Sequence, residues 1–196
     1  MLENQRNDYR VMLTKKMFRQ ALTSLLMKNP LPSITVKELC ETAGVNRGTF
    51  YSHYKDIYDL MDSIEKEMFD ELKITLEEMQ NARETKKGDS PFSIYFSLFD
   101  FFVKNSDMCT ILLGENSDRR FVNRLLDMGQ EVCIQIYCPK YPKASVRDVE
   151  MFYNFIASGC IGLLQHWINN GMTVPVDEIA SVTESIISGS EVFLKR

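Results

Sequence analysis

The sequence predicts an all-α protein: an N-terminal three-helix head containing a helix-turn-helix, on a larger helical body. Three observations predict this. Apolar residues recur at the helical spacing of three and four along most of the chain, and no run alternates as a strand ladder does. Capping residues and glycines divide the first part of the chain into short helices. Charge is also unevenly shared. Residues 1–55 hold nine Lys/Arg against four Asp/Glu, and residues 56–196 hold fourteen against twenty-three. The net charge of −4 by itself argues against a polyanionic partner. The distribution reverses that, because a basic head on an acidic body suits a small polyanion-binding module.

The head elements follow in order. Phe18, Leu22, Leu25 and Leu26 share one face of a first helix, with Lys15, Lys16 and Arg19 off it. Asn29-Pro30-Leu31-Pro32 must end that helix, since proline excludes the preceding residue from the α region. Thr35-Val36-Lys37-Glu38 reads as a capping box opening a short helix to about Ala43. Gly44 supplies the left-handed turn, Val45 is its apolar residue, and Asn46 caps a second short helix running to about Tyr54. Asp56 caps a long helix through Leu60, Ile64, Met68 and Leu72 that fades near Glu84, with Asp59 in its first turn.

The body reads as follows. Lys86 to Pro91 is a linker-like loop, and Ser93 to Lys104 is dense in aromatics. Asn116 to Arg119 breaks the pattern, and Phe121 to Tyr137 is helical again. Pro139 and Pro142 bracket a turn. Ala144 to Asn170 is a long helix closed by Gly171, and Asp177 to Phe193 is a last amphipathic helix. The expected division is a helix-turn-helix head at 1–55, a connecting helix at 56–84 and a helical body at 85–196.

Composition narrows the function. With 196 residues and 44% hydrophobic content, the chain is long enough for one domain or two small ones with a real core. No window reaches about 18 uninterrupted apolar residues, so no membrane span is expected. The polar stretch Met1 to Arg10 lacks the apolar region of a secretory signal, and a cytoplasmic location is expected. Cys40, Cys109, Cys133, Cys138 and Cys160 form no CxxC pair and read as buried thiols, with no cofactor or metal expected. No GxSxG, P-loop, dinucleotide fingerprint or HExxH occurs, so an enzyme is not expected.

The segment Asn46-Arg47-Gly48-Thr49-Phe50-Tyr51-Ser52-His53-Tyr54-Lys55 meets the demands of a recognition helix. Phe50 and Tyr54, four apart, can bury inward. Arg47, Thr49, Tyr51 and Ser52 can reach outward as hydrogen-bonding groups. Gly48 lets the helix approach the sugar-phosphate chain closely. From Ile34 through Tyr54 this stretch resembles the DNA-binding head of the TetR (tetracycline-repressor) family of transcriptional regulators. The likeness covers about Tyr9 to Glu67, roughly a third of the chain.

The resemblance implies a role for each matching position. Thr35, Tyr51, His53 and Lys55 would contact phosphates. Arg47 and Thr49 would face base edges, with Gly48 at the closest approach and Asn46 and Ser52 beside them. Arg47 is the residue expected to read a guanine, because its fork matches O6 and N7. Family members commonly carry a lysine two residues after the position of Lys55, and here that position is Ile57. Either Lys55 alone then serves the phosphate, or the amides opening the fourth helix do so.

The resemblance also implies a homodimer on a palindromic DNA operator, most simply a repressor, with a small-molecule effector bound in the body. Tyr95, Phe96 and Phe99, with Phe121, Met128, Phe152 and Trp167, are the candidate pocket residues. Their competing reading is ordinary packed core. Ser158, Gly159 and Gly162 on the long helix, and Ile179, Val182, Ile186 and Ile187 on the last, are candidate dimer contacts. Three rivals remain at this level. One is a thiol or metal sensor using Cys133 and Cys138, with Cys160 or His166. Another is a helical interaction module without DNA binding. The third is a co-activator-type regulator that works with a protein partner.

Overall fold

In the computed structural model, residues 2–85, 92–113 and 120–195 are described, with side chains at 8–77, 95–113 and 120–195. The expected loop at Lys86 to Pro91 and break at Asn116 to Arg119 lie outside them. The described residues form helices and the turns between them, with no strand among them: α1 (Leu2–Leu26), α2 (Val36–Ala43), α3 (Arg47–Tyr51), α4 (Ile57–Thr85), α5 (Phe92–Lys104), α6 (Ser106–Leu112), α7 (Arg120–Lys140), α8 (Val146–Asn169) and α9 (Val176–Ser190). Short 3-10 turns sit at Leu31–Ser33 and Glu191–Lys195. The chain divides into two compact units, Met1–Asp70 and Glu71–Arg196, with the boundary inside α4.

The head unit is built on an aromatic cluster. Phe18 of α1 meets Phe50 of α3 edge-on, with ring centroids 5.4 Å apart, and Tyr54 at 6.1 Å. Leu22, Leu39, Leu60, Ile64 and Met68 are buried with them. Each such side chain contributes about 1.5–3 kcal/mol by leaving water, enough to hold helices too short to stand alone. Lys15 of α1 pairs with Glu67 of α4 at 2.9 Å, on the surface of the same unit.

The helix ends show why the head folds where it does. Thr35 Oγ1 accepts from the Glu38 amide at 3.2 Å, which is the threonine half of the expected box. Gly44 adopts the left-handed conformation, φ +67°, that ends α2 without a Cβ penalty. Asn46 Oδ1 accepts from the Thr49 amide at 2.8 Å and opens α3. α3 is shorter than its sequence pattern: it stops at Tyr51, because the His53 amide bonds back three residues to Phe50 O at 2.9 Å and tightens the chain. Tyr54 nevertheless reaches the core.

The body unit departs from expectation at Pro139. α7 continues through that proline to Lys140, and the turn comes after it, closed by the Ala144 amide on Tyr141 O at 3.0 Å. A proline in the last turn forfeits one amide bond, and here packing across the unit offsets it. Tyr137 and Tyr141 stack at 6.1 Å and both donate to the Glu191 carboxylate, which Lys140 joins at 2.7 Å. Ser145 and Asp148 form a full capping box opening α8. Gly171 (φ +71°) closes it, and the Trp167 indole donates to Val174 O at 2.9 Å, pinning the connection to α9.

Candidate nucleic-acid interface

α3 presents two opposed faces. Phe50 is wholly buried, while Arg47, Gly48, Tyr51 and Ser52 are exposed. Tyr51 is 59% exposed although its ring meets Phe50 edge-on at 5.4 Å, so the phenol tip projects outward from a packed base. Thr49 is half-buried. Its hydroxyl donates to Asn46 Oδ1 at 3.1 Å, so one amide oxygen caps the helix and orients the threonine. The Ser52 hydroxyl donates to Thr49 O at 2.7 Å. A Cβ on Gly48 would stand 3.3 Å from Asn46 Oδ1, so the cap itself leaves little room for a side chain there.

The flanks complete the surface. Thr35 is exposed at the start of α2; its oxygen accepts from Glu38 and its O–H remains a donor. His53 is half-buried with its ring 6.1 Å from Tyr54, and Lys55 is exposed. Ile57 is 5% exposed and part of the core. The first amides of α4 face carboxylates: Asp56 Oδ1 accepts from the Asp59 amide at 2.9 Å, and Asp59 Oδ2 from the Lys55 amide at 2.8 Å. Two acidic groups at that helix start disfavour a phosphate there.

The body unit holds a partly open cavity of about 250 Å³. Leu72 and Leu76 of α4 line it, with residues of α5, α7, α8 and α9. Of the expected pocket residues, Tyr95, Phe99, Met128 and Phe152 line it. The other three are not among its lining. Phe96 is exposed, Phe121 is fully buried in packed core, and Trp167 is buried with its ring edge-on to Phe99 at 5.5 Å. Helical spacing does not separate a wall residue from one packed a layer behind it.

Sequence reasoning missed other parts of this site. Tyr153 donates to Leu126 O at 2.6 Å, which is open to it because Gly129 has no side chain; a Cβ there would collide with the phenol oxygen. Tyr137 forms part of the wall, and burial pushes its hydroxyl well above the ordinary range. Burial also pushes the Cys133 and Cys160 thiols up to about 11, so the thiol switch lacks an activated thiolate at either wall cysteine. Among the described residues, no group of three or more His, Cys, Asp or Glu is placed to hold a metal ion. No described helix is long and apolar enough to cross a membrane.

An all-α chain with an outward-facing second helix after a glycine turn defines a helix-turn-helix protein with a separate helical body. A family model of TetR proteins, described as "Transcriptional regulator C-terminal region", matches residues 89–189. The chain belongs to the TetR family of transcriptional regulators. It is 18% identical over 170 residues to the uncharacterised HTH-type transcriptional regulator YxbF of Bacillus subtilis; the match covers 87% of this chain and spans 43% of that protein's length. The fold is similar to that of solved regulators. A TetR transcriptional regulator from Streptococcus agalactiae aligns with TM-score 0.58 and 20% identity, over 94% of this chain and 98% of that one. The fatty acid degradation regulator FadR from Bacillus halodurans gives TM-score 0.65 and 12% identity, over 90% and 95%. The dihydroxyacetone kinase operon activator DhaS gives 0.56 and 15%, over 91% and 96%.

Proposed function

We propose that this regulator binds a palindromic operator as a homodimer, acts as a repressor, and is released by a small molecule held in the body cavity. The observation that carries the reading is α3: a helix anchored by Phe50 with Arg47, Tyr51 and Ser52 exposed and Thr49 half-buried beside them. Arg47 and Thr49 read base edges, and Thr35, Tyr51, His53 and Lys55 hold phosphates.

The dimer rests on an exposed apolar face. On α8, Met151 and Phe155 stand open to solvent above the exposed Ser158, Gly159 and Gly162, and Phe155 is 76% exposed. Val182 and Ile186 are exposed on α9, whereas Ile179 and Ile187 are buried within the subunit and leave the expected contact set. Large exposed apolar groups beside small residues suit the close packing of a second copy. α4 supports the release mechanism. Its first turns carry Leu60, Ile64 and Met68 of the head core, and further along it Leu72 and Leu76 line the cavity. A ligand with different affinity for two settings of that helix shifts the DNA-binding equilibrium.

The test is selection of bound sequences from a random duplex pool at two salt concentrations. The expected result is a near-palindrome with half-sites about one helical turn or slightly more apart, and retention that falls as salt rises. No enrichment and no salt dependence would remove the DNA-binding reading. A second reading is a co-activator-type regulator that works with a protein partner; the operon activator DhaS, which shares the fold, is a parallel for activation alone. It predicts that bound operator raises transcription.

A further inference from the structure

Taking the body cavity as the effector site, we propose that its ligand is an uncharged, largely apolar molecule of roughly ten non-hydrogen atoms, and that the cavity rejects a carboxylate of the same size. An apolar cavity of about 150 Å³ accommodates benzene, and this one measures about 250 Å³.

None of the described lining residues is charged. The hydroxyls whose bonds are described already donate to the protein itself: Tyr153 to Leu126 O, Tyr137 to Glu191, and Thr183 to Ile179 O at 2.8 Å. With those protons committed, what these hydroxyls can still offer an occupant is lone pairs. Those accept from a ligand O–H or N–H and repel the oxygens of an anion. The wall thiols Cys133 and Cys160 are held neutral by burial.

An organic cation fares no better. Glu191, the carboxylate bonded to Tyr137, is paired with Lys140 at 2.7 Å. The same ammonium lies 5.5 Å from the Tyr137 ring centre, and among the described residues no carboxylate lines the wall to balance a second cation. An ion of either sign drawn in among these walls would give up its water without a counter-charge, whereas a neutral molecule with one donor loses little.

The chain contains its own reporter. Its single tryptophan, Trp167, packs edge-on against the wall residue Phe99 at 5.5 Å. The experiment titrates the full chain with 1-nonanol, nonanoate and nonylammonium near pH 8 and follows Trp167 emission. Nonanol is expected to give a saturable change. Both ions should bind about a hundredfold more weakly or worse, as burial of an unpaired charge requires. Val132→Phe on α7 and Ala157→Leu on α8 each take up part of the cavity; either one, if it keeps its helix content, should weaken or abolish the nonanol response.

An ion that matches nonanol overturns the ligand class. A wild-type chain with no saturable nonanol response, or filled variants that respond unchanged, overturns the site. Duplex retention measured on the same preparation keeps the two proposals apart. A chain that takes nonanol but no DNA loses the regulator mechanism and keeps the cavity chemistry, and the reverse result does the opposite.

Discussion

Arg47 and Tyr51 lie on the same exposed helix yet should fail differently. Arg47→Ala is expected to cost about 1–3 kcal/mol on the selected operator and relax preference at one base pair. If Tyr51 holds a phosphate as proposed, Tyr51→Phe should weaken selected and scrambled duplexes alike, because a phosphate carries no sequence information. Affinities of each variant for both duplexes check this, and equal losses for Arg47→Ala would remove its base-reading role. The caps Thr35 and Asn46 were legible in the sequence because each acts on an amide three residues on. Glu191 was not, since its partners Tyr137, Lys140 and Tyr141 lie about fifty residues away in the chain. Gly129 carried no signal either: its meaning depends on the approach of Tyr153 from another helix.

At the scale of elements, α7 meets α8 through Gly129 and Tyr153. Gly129→Ala should destabilise by about 1–3 kcal/mol through overpacking, despite alanine's better helix propensity. Adding Tyr153→Phe removes the obstructing oxygen and should recover part of that loss. Denaturant unfolding of the two single variants and the double measures the coupling, and strict additivity would show the contact to be slack. The end of α7 carries a pH signature. Burial works to raise the Glu191 carboxyl, but hydrogen bonds from Lys140 and Tyr141, with the Lys140 charge, outweigh it and hold the group below its ordinary 4.5. Its contribution is therefore complete above about pH 4.5 and lost as pH falls through the lower native value. Glu191→Gln should flatten that acid loss in unfolding measurements, and an unchanged acid limb would show that other carboxylates govern it. α2 and α3 could be placed from capping and glycine signals alone. The passage of α7 through Pro139 could not, because the packing that sustains it lies at the far end of the sequence.

For the whole molecule, the all-α class and the head-and-body order followed from periodicity and charge. Which apolar residues face inward within the body did not, since core and cavity wall share one periodicity. The exposed α8 face sets the remaining test. Phe155→Glu should leave the melting temperature of the subunit nearly unchanged, since the ring is exposed within it. Sedimentation should then report monomers, and operator affinity should fall steeply because two heads no longer bind together. A dimer that survives would move the interface elsewhere. The placement of Phe155 far along the chain from Arg47 also has a genetic consequence. In the proposed homodimer, an Arg47→Ala allele expressed beside the wild type should be dominant negative, because mixed pairs carry one blind head. Adding Phe155→Glu in cis should make that allele recessive.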